Sequence, residues 1–186
     1  FWEKVIEIAN NEQYLGYAMR AMYHLSKMLI PPEAQIITIC MGPLKAAISS
    51  CDPGTVVYAI RFSKILLKEG YMSPKIFWSI SSMLLTYAKF LEYPYGPHLA
   101  EFIKEGLPLI EQNPTLYITT LSYYFHNKCS SPRDFIRIGT FFLQLPKLLE
   151  FLPFSFAGFM TNLMSEESVN SSELFMFLLK FFSQVE

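Results

Sequence analysis

The chain has 186 residues, 52% of them hydrophobic and only 17% charged, with a net charge of −1. That length is enough to bury roughly two-thirds of the surface of the unfolded chain in one domain. The balance of charge gives no general attraction to nucleic acid, acidic substrates or anionic lipid, and the low charged fraction, against about 25% in ordinary soluble domains, predicts that part of the surface faces a partner.

Three cysteines, Cys40, Cys51 and Cys129, without a C-x-x-C pair, fit neither a disulfide framework nor a zinc site. They predict free thiols in a reducing, intracellular compartment. His24, His98 and His126 are scattered, with only Glu101 and Cys129 three residues beyond one of them, so no metal or other cofactor is expected. The longest uncharged stretches, Gln112 to Asn127 and Phe151 to Ser165, are broken by polar residues or proline. Neither supplies the roughly 20 apolar residues of a membrane span. The first ten residues, interrupted by Glu3, Lys4 and Glu7, do not resemble a secretory leader.

In chain order, Phe1 to Ala9 carry Trp2, Val5, Ile6 and Ile8 and read as the end of a helix. Helix starts follow near residues 11, 32, 52, 73, 96, 113, 132, 153 and 171. The clearest are Asp52-Pro53, Ser73-Pro74, Asn113-Pro114 and Ser131-Pro132, where a capping oxygen precedes a proline that has no N–H to leave unpaired. Spacing of about 20 residues gives one helix and a short turn, and two such units give the length of a helical repeat. The repeat is visible as an echo. Tyr17-Ala18-Met19-Arg20, with Leu25 and Lys27, returns 41 residues later as Tyr58-Ala59-Ile60-Arg61, with Leu66 and Lys68.

Alternate helices then fall into two kinds. Asn11 to Met28 and Pro53 to Glu69 are of the first kind; Glu33 to Ser49, Pro74 to Leu91 and Pro114 to Lys128 are of the second. Ile36-Ile37-Thr38-Ile39, Phe77-Trp78-Ser79-Ile80 and Tyr117-Ile118-Thr119-Thr120 align among the second kind, with a small hydroxyl residue where a neighbouring helix would approach. Pro43, Pro108 and Pro146 are expected to kink or split their helices, with Gly42-Pro43 and Gly106-Leu107-Pro108 as breaks. No segment alternates with the period of a strand. The expected fold is therefore all-α, a right-handed α-solenoid of antiparallel helix pairs with a repeat of about 40 residues, forming one domain over residues 1–186. The chain opens at Phe1 without a methionine, and its last segment, Glu173 to Val185, is apolar on nearly all faces. Both features predict a piece of a longer subunit whose ends are covered by more chain or by another subunit.

Catalytic signatures are missing: there is no phosphate-binding G-x-x-x-x-G-K-[ST], no G-x-G-x-x-G, no H-E-x-x-H and no G-x-S-x-G. Glu166-Glu167, Glu101 with Glu105, and Cys129 near His126 read as surface charge and packing, so no enzyme activity and no small-molecule substrate are expected. Arg20, Lys27, Arg61 and Lys68 occupy equivalent positions on successive first-kind helices, with Lys64 between the last two. Residues seven apart share a helical face, so stacking would set these stripes side by side as a basic ladder for phosphates or a protein partner. Arg133 and Arg137 beside Lys128 form a smaller cluster at a helix start. The 17 Phe, 11 Tyr and 2 Trp exceed what one core absorbs and suggest contact surface.

Ser73-Pro74-Lys75-Ile76-Phe77, followed by Ile80, Leu84, Leu85, Tyr87-Ala88-Lys89 and Phe90, resembles the helical repeats of the octotricopeptide and FAST-kinase-like groups over about residues 52 to 151. The resemblance implies a mitochondrial or plastid setting with RNA or ribosomal partners, although those groups tend to be basic and this chain is not. Two functions are thus expected. One is a non-catalytic scaffold or structural subunit that holds other protein subunits in a larger complex. The other is an organellar, mitochondrial RNA-binding protein associated with the ribosome or with RNA processing.

Overall fold

A computed structural model describes residues 1–28, 34–86, 92, 94–112 and 114–115, with residues 136, 140, 141, 143–145, 176, 179, 180 and 183 besides. The described segments are helical and contain no strand: α1 (Trp2–Ala9), a 3₁₀ turn (Glu12–Tyr14), α2 (Leu15–Met28), α3 (Ala34–Ser50), α4 (Pro53–Lys68), α5 (Pro74–Thr86) and α6 (Tyr95–Glu111). No helix among the described residues is long and apolar enough to cross a membrane.

Local chemistry sets the boundaries. The Asp52 carboxylate accepts the backbone N–H of Thr55 at 2.8 Å, with Pro53 in the first turn, so α4 starts where a cap and a proline coincide. The Ser73 hydroxyl accepts the Ile76 N–H at 3.4 Å and leads into Pro74. The Asn11 side chain accepts the Gln13 N–H, but it caps the 3₁₀ turn, and α2 itself begins at Leu15. α4 ends at Gly70, whose φ of 74° only glycine adopts without cost. Gly70 N–H bonds to the Leu67 carbonyl and Tyr71 N–H to that of Leu66, the pair of bonds that closes a Schellman ending. At the end of α3 the same left-handed role falls to Cys51, at φ 57°.

The helices pack in two rows. α2 lies on α4 and α4 on α6; α1 lies on α3 and α3 on α5; and the rows face each other through α1 with α2, α2 with α3, α3 with α4, and α5 with α6. α4 and α6 run parallel, because Arg61, Lys64 and Lys68 meet His98, Glu101 and Glu105 in order. One apolar core runs between the rows. Met19, Met22, Leu44, Val56, Ile60, Phe62, Phe77, Ile80, Leu84, Leu99 and Phe102 are all essentially without solvent contact, and Phe141 and Leu145 join them from later in the chain. Each such side chain contributes about 1.5–3 kcal/mol on burial.

Two expectations fail here. The breaks expected at Gly42-Pro43 and Gly106-Leu107-Pro108 do not occur: Pro43 and Pro108 lie inside α3 and α6, which continue through them. The reason lies in packing. Cys40, Leu44, Ala47 and Ile48 are buried on one face that passes Pro43 in register, and Leu99, Ile103, Gly106 and Ile110 do the same past Pro108. Burial on both sides of each ring outweighs one lost hydrogen bond and the clash. Nor does the hydroxyl of the aligned second-kind segments mark the close helix contacts: Thr38 is exposed and Ser79 half-buried. Tight approach occurs instead at Gly16, against the Thr55 hydroxyl, and at Gly106, against the Phe77 ring. The expected starts at 32, 132, 153 and 171, together with Pro146, lie outside the described residues.

Candidate functional site

The basic stripes fall on one side of the α2–α4–α6 row. Arg20 and Lys27 are exposed on α2, Arg61 and Lys64 are half-buried on α4, and Lys68 is exposed at its end. Arg133 and Arg137 lie outside the described residues.

α4 does not carry its stripe as free charge. Lys64 Nζ meets Glu101 at 2.6 Å and Lys68 Nζ meets Glu105 at 3.0 Å. Arg61 Nη2 donates to His98 Nε2 at 3.1 Å. A guanidinium can only donate, so Nε2 accepts and the imidazole proton sits on Nδ1. All three contacts join residues 37 apart, three rungs of one seam between parallel helices. Burial and the neighbouring Arg61 charge hold His98 below the usual histidine range. The hydrogen bond from Lys64 draws Glu101 below the usual carboxylate range.

The partner stripe on α6 is a third copy of the echo, hidden by sign. Tyr95-Gly96-Pro97-His98 follows Tyr58-Ala59-Ile60-Arg61, and Glu101 and Glu105 stand where α4 has Lys64 and Lys68. Sequence reasoning passed over it because the interval shortens from 41 to 37 and the charges reverse. The signal was available in the tyrosine followed by a small residue, since Ala18, Ala59 and Gly96 are all buried at the helix contacts.

The α2–α4 seam is built differently. Arg20 and Arg61 each place their guanidinium carbon 5.8 Å from the centroid of the Tyr58 ring. Tyr23 packs on the same ring at 5.6 Å and His24 at 6.2 Å. Lys27 Nζ lies 4.7 Å from the ring of its own helix neighbour Tyr23. Here the contacting residues are 34 to 38 apart, short of the 41-residue echo, so Arg20 meets Tyr58 and the two stripes are staggered. Among the described residues, no carboxylate pairs with Arg20, Lys27 or Arg61.

Beside this seam a cleft of about 430 Å³ opens between the first turns of α2 and α4. Tyr17, Arg20 and Tyr58 line it together with Glu12, Gln13, Ser50 and Asp52. Asp52 is held below the usual carboxylate range by the backbone N–H and then the hydroxyl of Thr55, and stays an anion. Tyr17 is 76% exposed at the mouth. The described residues contain no group of His, Cys, Asp and Glu able to hold a metal. Cys40 is buried in the core, which pushes its thiol up to about 12. The arrangement offers cations, aromatic faces and a cleft, which are means of holding a ligand. Comparisons with protein-family models, curated proteins and solved structures find no match to this chain.

Proposed function

We propose that the protein is a non-catalytic helical-repeat scaffold, an α-solenoid of antiparallel helix pairs about 40 residues long that holds other protein subunits in a larger complex. The observation that carries the reading is the pairing of rows with unsatisfied surface. Alternate helices stack on one another in two rows, while α1, α2 and the turn between them leave Ile8, Tyr14, Tyr17 and Met28 exposed. Stacked repeats bury their faces only against neighbours, so apolar side chains left exposed along the helices invite another subunit. The test is co-purification of the protein from its native cells with and without nuclease. Partners that persist after nuclease at moderate salt support the scaffold; their loss refutes it.

A second reading is an organellar RNA-binding repeat protein of the octotricopeptide or FAST-kinase-like kind, in mitochondria. Arg20 and Lys27, without carboxylates and flanked by exposed Tyr17, favour it. The pairing of Lys64 and Lys68 with Glu101 and Glu105 weighs against it, because it takes two of the five cations of the ladder from phosphates. Salt-sensitive binding of single-stranded RNA that is lost on combined substitution of Arg20, Arg61 and Lys68 by alanine would establish it.

A further inference from the structure

We propose that the cleft between the first turns of α2 and α4 docks an acidic segment of a partner protein, with a carboxylate on Arg20 and an adjacent aromatic or apolar side chain against Tyr17 and Tyr58. This rests on the scaffold reading and names the chemistry of one of its contacts.

The charge pattern between α4 and α6 has one exception. Two of the three rungs between α4 and α6 match a lysine to a carboxylate. The third sets Arg61 against His98, whose ring takes a hydrogen bond but supplies no negative charge. Arg61 therefore keeps its full charge, and it shares the Tyr58 ring with Arg20, which is exposed and also lacks a carboxylate among the described residues. Two guanidiniums on one tyrosine make a local positive centre that the fold does not compensate. Arginine beside tyrosine at the edge of a cleft is the composition of protein-binding hot spots, and a guanidinium recognises carboxylates by its planar fork.

The acids of the cleft decide the kind of anion. Glu12 and Asp52 also line it, and Asp52 lies six residues before Tyr58, roughly 9 Å along the helix. A nucleic-acid strand, carrying a phosphate at every residue, would set one against these acids. A polypeptide escapes that repulsion, since it can carry a carboxylate at Arg20 and a neutral or basic side chain about three extended residues away. The cleft volume lies within the range of pockets that enclose a few side chains.

The experiment is selection of a random dodecapeptide phage library on the immobilised full chain, followed by fluorescence anisotropy of the enriched peptides. The expected result is enrichment of sequences pairing Asp or Glu with an aromatic or large apolar residue. Their affinity should fall about tenfold when the acid is changed to its amide or when Arg20→Ala is introduced, and stay the same with Lys64→Ala. Arg20 is exposed, so an unchanged melting temperature in Arg20→Ala separates lost binding from lost folding. No enrichment, enriched peptides without an acidic residue, or binding indifferent to Arg20→Ala overturns the proposal. A labelled decauridylate that binds in an Arg20-dependent manner and displaces the peptides would also overturn it, in favour of RNA. Nuclease-resistant partners that remain bound to the Arg20→Ala protein would leave the scaffold standing while removing this site from it.

Discussion

Gly106 is the sharpest point at which to perturb this fold. A methyl group added there would meet the ring of Phe77 on α5, and Phe77 is fully buried and packed on Phe102 at a centroid distance of 5.1 Å. The ring has nowhere to go. Replacing a helical glycine by alanine ordinarily gains about 1 kcal/mol, whereas forcing a methyl into a filled core costs about 1–3 kcal/mol, occasionally more. With both contacting rings locked, Gly106→Ala should cost a net of about 2 kcal/mol, or roughly 4–8 °C in melting temperature for a chain of this length. Gly42 is the control: it is also helical, and nothing lies within 4 Å of the added carbon. Gly42→Ala should therefore stabilise by about 0.5–1 kcal/mol. Thermal and urea unfolding of both variants measure the contrast. Phe77→Leu should recover part of the loss in the Gly106→Ala background while costing stability alone, a coupling of 1 kcal/mol or more. A Gly106→Ala protein as stable as the original would refute the account of how α5 and α6 pack.

Three further outcomes are expected. Asp52→Ala removes the cap on α4 and should cost about 1 kcal/mol in urea unfolding, while Asp52→Asn retains most of it. His98 is held neutral in the fold, so it binds fewer protons there than when unfolded, and stability should fall as pH drops below about 6.5; melting curves of His98→Gln should lack that loss. Glu101 and Asp52, both held low by hydrogen bonds, add a second loss in the same direction below their ordinary range near pH 4. Lys64→Glu sets two carboxylates together and should lower stability by about 0.5–1 kcal/mol, and adding Glu101→Lys should restore most of it in a double-mutant cycle.

The fold was legible where the signal is local. Asp52-Pro53 and Ser73-Pro74 start helices because a capping oxygen and a missing N–H satisfy the first turn without help from distant chain. The 41-residue echo marks α2 and α4, the two helices whose packing it implied. Proline was misread because its local cost was weighed without the buried faces that cross Pro43 and Pro108. Gly106 was taken for a helix break, when its lack of a side chain makes room for Phe77, a residue 29 positions away. The ladder was legible as a row of charges, but its neutralisation was not, since Glu101 and Glu105 acquire meaning only when α6 lies beside α4.

The two seams of the row use opposite chemistry, and this orders the helices. α4 presents Arg61, Lys64 and Lys68 along one stripe, and the equivalent stripe of α2 carries Arg20 and Lys27. Set rung to rung, those two helices would oppose like charges. They avoid this by staggering, so that Arg20 rests on Tyr58 and Tyr23 packs beside it, and the contact becomes aromatic. α6, with His98, Glu101 and Glu105, has the complementary stripe and meets α4 in register. Exchanging α2 for α6 beside α4 would lose two ion pairs and create repulsion, so the sign reversal in the third copy selects the neighbour as well as the register. The same reversal decides where charge remains. It is cancelled at Lys64 and Lys68 and left over at Arg61 and on α2, which is why the positive centre at Arg20 and Arg61 lies at the α2–α4 seam and beside the cleft.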